Sequence, residues 1–524
     1  MGRADAGKSS ARSLLPARLY LTPLRLAGLL VLGLLLMVML FPVGLPRDYP
    51  NHLARTHIEA FIWSDPGLQR HYALSFSIIP DLAMDMVIPW LAHLIGTWKA
   101  GAVTIWLALA LPPAAGLILA KLFHHRVTWL SLAGFLMAFN VSVEWGFVNY
   151  VLASGISLLG FGLWTQLRPG WRRTLIFAPF GLFLSLNHAL AFLFFGFLAL
   201  VWELAAFSGR ERGSTTVFLR RLVAFDLPAM LPAMALILAA TLGAADLPRG
   251  TADFFSLSQK VQALPSSFSF FNIGLGLVIF WAVAGLAFFG VRRGYLVIER
   301  KLAIVLLAAL ALNILMPTSV LGIWGLHLRF WAPMVILFFA SATISATAPA
   351  SAVRGAGLVL AVLTSLTMMN GALQMARFNM QAQSVRDLLG EMPEGVRVLT
   401  AFDDGPLLDF AFIIHADGIA VIEKAAYVPG LFTNTSPVDV APENIDLHMP
   451  QSLPLTSERL AETAPMPVEV STNGYWSPGF VRGWPGRWDY VLYFRGEAGQ
   501  RLTGLPLCAT AEGPQAILYR VGAC

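Results

Sequence analysis

The feature that most narrows the fold is an apolar run over residues 23–44, broken by a single charge, Arg25. About twenty helical residues rise about 30 Å, the thickness of a bilayer's hydrocarbon core. Comparable runs recur as far as about residue 373, with short loops between them. The chain has 524 residues, 57% of them hydrophobic and 13% charged, and a mean hydropathy of +0.67. That is far more apolar surface than a soluble core needs, so the chain reads as a polytopic membrane protein.

The first run ends in Phe41-Pro42-Val43-Gly44, not in a short core with a small-residue cleavage site, and so reads as an uncleaved helix. Arg3, Lys8, Arg12, Arg18 and Arg25 set its N-terminus in the cytoplasm. Further basic groups lie at Lys121/Arg126, Arg168/Arg172/Arg173, Arg210/Arg212/Arg220/Arg221, Arg292/Arg293/Arg300/Lys301 and Arg354. The alternate loops hold only Arg47, Arg55, Arg70, Lys99, Arg249, Lys260 and Arg329, an asymmetry that orients the whole chain. A pI near 9.4 is compatible with nucleic-acid binding, but these charges mark loops and form no patch, so no nucleic-acid partner is expected.

Consecutive basic groups must be separated by an even number of crossings. Residues 127–167 then read as a helix pair turning near residues 143–149. Residues 174–206 are too long for one span and read as two short helices turning at Asn187-His188. Further spans follow near 222–243, 272–291, 302–317, 330–348 and 355–373. The expected fold is an α-helical polytopic membrane protein with about eleven transmembrane helices. Residues 1–22 form a cytoplasmic tail, 23–373 the transmembrane domain with a long first outer loop at 45–99, and 374–524 a small extracytoplasmic α/β domain. Within the last, 374–392 reads as an amphipathic helix, and 397–402, 489–494 and 516–521 as strands. Residues 413–423 suit either a helix or a strand. Both cysteines, Cys508 and Cys524, fall here. An oxidising compartment allows them to pair, although a simple hairpin register does not set them opposite each other.

Polar groups at membrane depth are costly unless they face water, and therefore usually mark function. Directly after the first run stands Arg47-Asp48-Tyr49-Pro50-Asn51-His52-Leu53-Ala54-Arg55. Three other turns fall on the same side. Residues 144–150 carry Glu144, Trp145, Asn149 and Tyr150; the next turn carries Asn187 and His188; residues 317–329 carry Trp324, His327 and Arg329. The shared sidedness implies one polar site under the outer leaflet, roofed by the C-terminal domain. Each residue also has a plainer reading. Asp48 can cap a helix, Arg47 and Arg55 can snorkel, Glu144 can hold Asn149 or a backbone group, and His52, His188 and His327 can be satisfied turn residues. His57 and Glu59 read as solvated helix-face residues. The first outer loop goes on with Ile78-Ile79-Pro80-Asp81-Leu82-Ala83-Met84-Asp85-Met86-Val87-Ile88-Pro89-Trp90-Leu91, whose helical period fits a helix lying along the interface.

This arrangement resembles the GT-C superfold of polytopic glycosyltransferases that use lipid-linked sugars. The shared features are a cytoplasmic N-terminus, 11–13 helices, a long first outer loop with surface helices, an acidic residue just after the first span, and often a soluble C-terminal domain. Asp48 stands where that family places its catalytic carboxylate. The family often has two adjacent acidic residues there; this chain has Asp48-Tyr49, so a divalent metal is neither named nor ruled out. The resemblance implies a polyprenyl-phosphate-sugar donor at the outer leaflet, with Asp48 accepting the proton of an acceptor hydroxyl and inversion at the anomeric carbon. Arg47, His52, Arg55, His188 and Arg329 are candidate phosphate partners, and Trp145, Tyr150 and Trp324 candidate sugar-stacking rings. Glu144, Asn149 and His327 complete the expected substrate-binding set. The acceptor is an envelope glycan, lipid or protein. Alternatives are a lipid-linked oligosaccharide polymerase or ligase, and a non-enzymatic lipid or polysaccharide transporter, for which inverted repeats are lacking. The sequence has no phosphate-binding glycine loop, no paired-cysteine zinc signature and no HExxH.

Overall fold

A computed structural model describes residues 22–75, 80–209, 215–243, 254, 257–320, 323–403, 414–433, 437–449, 455–468, 478–495 and 501–524. The tail at residues 1–21, Ile78-Ile79, Arg210, Arg212, Arg249 and Asp404-Gly405 lie outside them.

Seven helices among the described residues are long and apolar enough to cross a membrane: Pro23–Leu40, Thr97–His124, Val148–Gln166, Ala189–Phe207, Thr215–Leu242, Ile273–Arg292 and Ala350–Leu389. The shorter helices Trp171–Asn187, Arg300–Leu315 and Trp331–Ser341 complete the bundle. Burial divides them into two sets. Val148–Gln166 and Thr97–His124 are 78% and 67% buried over their apolar windows, whereas Pro23–Leu40 and Thr215–Leu242 are each 17% buried. The first two form the interior, and the second two turn their leucines toward lipid. The interior pair approaches closely because it meets through glycine: a methyl group on Gly155 would lie 2.9 Å from Pro112 N and from Leu111, leaving no room for one.

The expected pair in residues 174–206 is present as Trp171–Asn187 and Ala189–Gly209, broken at His188, which is fully extended. Residues 127–142 differ from expectation. In place of a spanning helix they form a 3-10 stretch, Leu130–Met137, and one helical turn, Val141–Glu144. Side-chain bonds bracket the stretch, Ser131 Oγ to Thr128 O and the Asn140 amide to Met137 O, and every residue from Leu130 to Val143 is buried. Apolar composition here serves internal packing, not lipid contact.

The first loop carries two long helices, Asp48–Phe61 and Ala83–Ile95, with the short helix Pro66–His71 between them. Ala350–Leu389 runs unbroken for 40 residues, about 60 Å, so it leaves the bundle and enters the C-terminal part. There its buried face, Met375, Phe378, Val385, Leu388 and Leu389, is the amphipathic face expected of residues 374–392. It packs on a mixed five-stranded sheet. In chain order the strands are β1 Val398–Phe402, β2 Leu455–Thr456, β3 Tyr490–Phe494, β4 Leu507–Glu512 and β5 Ala516–Val521; their spatial order is β4-β5-β3-β1-β2. β1 runs parallel to β2 and β3, and the rest is antiparallel. The ambiguous stretch ends in a helix, Gly418–Lys424, which runs one residue past it. In the β4–β5 hairpin Cys508 lies opposite Arg520, yet it is bonded to Cys524, 5.1 Å away between α-carbons, because the chain turns back at Gly522.

The first loop and this domain share one core. Ala54, Ile58, Ile62 and Leu68 cluster with Val398, Ile419, Val491 and Trp484. Tyr72–Leu74 pairs antiparallel with Val438–Val440. Gly418 lies so close to the Asp48–Phe61 helix that an added Cβ would sit 2.6 Å from Pro50 O. The helix that begins at Asp48 is thus clamped between the bundle below and the domain above.

Candidate active site

Asp48 opens its helix beneath the domain, and its position is set by a tight crossing. Arg47 takes a positive φ of 59°, and Asp48 N donates to Trp145 O at 3.4 Å. On the other side of that crossing Gly146 has φ of 79°, and a Cβ there would meet Tyr49 N at 2.7 Å. Two loops distant in sequence are thereby pressed together backbone to backbone.

Each flanking cation has its own support. Arg47 Nη2 donates to Glu144 Oε1 at 3.0 Å, and its guanidinium lies 3.9 Å from the centre of the Trp145 ring. The other Glu144 oxygen accepts from Phe271 N at 2.7 Å, so Glu144 spends both oxygens on the protein. Arg329 lies over the Phe147 ring at 4.0 Å and approaches His188 Nε2 at 3.2 Å; its own carbonyl accepts from Tyr150 Oη at 2.8 Å. His188 also caps the following helix, its Nδ1 accepting from Leu190 N at 3.2 Å. Arg47 Nε and Nη1 and Arg329 Nε are buried with no partner among the described residues.

Two residues not singled out in the sequence stand in this space. Asp81 has φ of 84°, a strained value for a non-glycine residue. Its place is fixed by Asn149, whose Nδ2 donates to Asp81 O at 3.1 Å while Oδ1 accepts from Met84 N at 2.8 Å. Asp81 Oδ1 lies 3.9 Å from His188 Nε2. His415 comes from the C-terminal domain, and its Nε2 lies 3.7 Å from Asp48 Oδ1. Its ring and that of His52 both pack on Phe432, at 5.0 and 5.4 Å. The Phe432 loop is in turn held by Asn51, whose amide donates to Gly430 O and accepts from Phe432 N. The local sequence around Asp81 and His415 carries no motif; only tertiary packing brings them in.

Charge and burial separate the carboxylates. Asp48 and Asp81 keep 23% and 33% of their side-chain surface open, so both face free space. Burial pushes Asp48 up to about 7 against the pull of Arg329 and Arg47, and Asp81 up to about 6 against Arg55 and Arg329. Asp85 is closed off, 3% exposed, and bonded at 2.5 Å to Arg55, which is wholly buried. Glu59, expected to be solvated, instead lies beside Asp85, and burial together with the Asp85 charge drives its pKa upward. Burial lowers His52 to about 3 and His415 to about 4, so both rings are neutral at pH 7.

The structure therefore brings Arg47, Asp48, His52, His188 and Arg329 around one chamber, and sets Arg55, Glu144, Asn149 and Tyr150 behind them. His327 keeps other company: its ring meets Trp324 at 6.3 Å, and its charge neighbour is Lys260. Among the described residues no three His, Cys, Asp or Glu side chains group as a metal site.

No protein-family model and no curated protein matches this chain. Among solved structures it is similar to ArnT from Cupriavidus metallidurans bound to undecaprenyl phosphate, at 11% identity and a TM-score of 0.54, covering 95% of this chain and 98% of that one. The apo form of ArnT gives 12% and 0.52 with the same coverage. Arabinofuranosyltransferase AftD from Mycobacteria gives 14% and 0.47, covering 96% of this chain and 40% of that one. The two ArnT structures, matched over nearly their whole length, show that this chain shares their fold.

Proposed function

We propose that the protein is an inverting glycosyltransferase that moves a sugar from a polyprenyl-phosphate donor to an envelope glycan, lipid or protein on the outer side of a bacterial inner membrane. The observation that carries this reading is the pair of open carboxylates, Asp48 and Asp81, set against arginines with unused donors in a GT-C fold. Asp48 accepts the proton of the acceptor hydroxyl as its oxygen bonds to the anomeric carbon. The bond from that carbon to the phosphate oxygen breaks, and its electron pair leaves with the polyprenyl phosphate. Arg47 and Arg329 meet the charge that develops on that phosphate, with His52 and His188 around it, while Arg55, closed off against Asp85, supports the wall from behind. Asp81 stands beside the reacting centre with His188 at its oxygen. Glu144, Asn149 and Tyr150 act by positioning Arg47, Asp81 and Arg329 respectively; this refines the expectation that they bind substrate directly. The same reading places the N-terminus in the cytoplasm and residues 374–524 outside it.

The test is transfer from a defined polyprenyl-phosphate sugar in proteoliposomes. Asp48→Asn should abolish transfer while the protein still inserts and folds; full activity in that variant overturns the assignment. Sidedness is read separately from Arg459→Cys, an exposed position on the domain, which an impermeant thiol reagent should label from outside the inner membrane.

A further inference from the structure

At the opposite end of the bundle from Asp48 lies a cavity of about 1010 Å³. Its position follows from chain direction. Pro23, Leu26 and Leu30 line it from the first half of the helix whose far end leads to Asp48, and Arg354 and Leu360 line it from the start of the helix that ends in the C-terminal domain. Along Ala350–Leu389 the lining runs from Ala352 to Ser365, about 20 Å of helix, or two thirds of a hydrocarbon core. Small side chains make the hollow: Ala352, Ala356 and Gly357 on that helix line it with Ala287 on Ile273–Arg292, and a methyl group on Gly357 would meet nothing within 4 Å. The volume is at the upper limit of ordinary small-ligand pockets.

The chemistry of the wall changes along its length. At one end stand Arg126, Arg354, Trp129 and Tyr295; deeper lie Leu30, Val283, Leu286 and Leu360. Guanidinium groups with Trp and Tyr mark the headgroup level of a bilayer, and leucine and valine its acyl region. Arg126 and Arg354 are exposed and make no ion pair or side-chain hydrogen bond among the described residues. Basic pockets between transmembrane helices on the side bearing the arginine-rich loops suit anionic lipid headgroups. None of these residues belongs to the Asp48 chamber.

We propose that this cavity is a resident site for an anionic diacyl phospholipid of the leaflet opposite the Asp48 chamber, its phosphate between Arg126 and Arg354 and its chains along the alanine–glycine wall. The polyprenyl phosphate of the proposed reaction belongs to the other end of the bundle, so the occupant here is a bulk membrane lipid.

The experiment is native mass spectrometry of the full chain released from nanodiscs of equal phosphatidylglycerol and phosphatidylethanolamine. The wild-type protein should retain phosphatidylglycerol selectively. Each guanidinium at a headgroup accounts for about fivefold in affinity, so Arg126→Ala with Arg354→Ala should cut the preference roughly thirtyfold. Ala356→Trp, which fills the hollow and leaves both arginines, should remove retention altogether. The proposal is overturned if the wild-type protein shows no preference, if the double arginine variant keeps it, if Ala356→Trp still retains the lipid, or if the retained mass is a polyprenyl phosphate. The two arginines are exposed and can be replaced without disturbing the packing, so that arm reads out even if Ala356→Trp does not fold.

Discussion

His415 Nε2 lies 3.7 Å from Asp48 Oδ1, although one residue belongs to the C-terminal domain and the other to the first loop after the membrane. The domain thus supplies a wall of the chamber. Asn51 and Phe432 fix that wall, and Gly418 fits it to the Asp48–Phe61 helix. In His415→Ala, water should reach Asp48 and relieve the burial that raises its pKa. The expected result is a five- to twentyfold loss of kcat, about 1–2 kcal/mol, with an acid limb moved to lower pH. A loss of activity with an unmoved pH profile would indicate that His415 only supports the fold.

The pH dependence of the wild-type reaction follows from the same carboxylate. Asp48 must be ionised to accept a proton, and burial raises it to about 7. A raised acid is protonated over more of the acid range, so kcat/KM should fall by about tenfold per pH unit below pH 7 and level off above it. Asp81, pushed up to about 6, is mostly ionised at the point where Asp48 is half protonated, so only Asp48 titrates at the upper edge of that limb. Initial rates between pH 5 and pH 8.5 measure this. A rate independent of pH across that range contradicts the assignment of Asp48 as base.

Arg55, Asp85 and Glu59 form a closed cluster behind the chamber. The Arg55–Asp85 pair has lost its water, so Arg55→Leu leaves a buried carboxylate without a counter-charge and should destabilise the fold by about 3–5 kcal/mol. Glu59 behaves oppositely. Burial beside the Asp85 charge pushes its pKa upward and favours the neutral acid, so Glu59→Gln should change stability by less than about 1 kcal/mol. Thermal unfolding of the purified variants separates the two. A large loss in Glu59→Gln would mean that Glu59 is charged.

Length and period made much of this readable beforehand. The break at Asn187-His188 followed from a segment too long for one helix, and the strands at 398–402, 490–494 and 516–521 from alternation between turn residues. Asp48, Arg47 and Arg329 stood out because charge next to an apolar run is conspicuous. Asp81 and Asp85 did not, since they lie within a segment whose apolar period already explained it as a surface helix. His415 lies in a polar tail where a histidine is unremarkable, and only Phe432 and the Asn51 clamp draw it inward. Residues 127–142 misled because a buried 3-10 stretch and a lipid-facing helix have the same composition; what distinguishes them is the packing on every side.

Gly146 tests whether the backbone crossing governs catalysis. It combines φ of 79°, which disfavours any side chain, with a site where Cβ would lie 2.7 Å from Tyr49 N and 3.1 Å from Asp48 N. Gly146→Ala must therefore either strain its own backbone or push the 46–49 segment away, at a cost of about 1–3 kcal/mol. The bond that holds the segment at the crossing, Asp48 N to Trp145 O, is long at 3.4 Å and can give way. Moving the segment displaces Asp48 from Arg329 and His415 together, so kcat should fall at least tenfold while insertion and the domain's disulfide stay intact. Gly96 also has positive φ, but a methyl group added there would meet nothing within 4 Å, which makes it the control. Gly96→Ala carries the strain without the clash and should leave kcat within about twofold. Equal effects from the two substitutions would assign the loss to backbone strain and not to the displacement of Asp48.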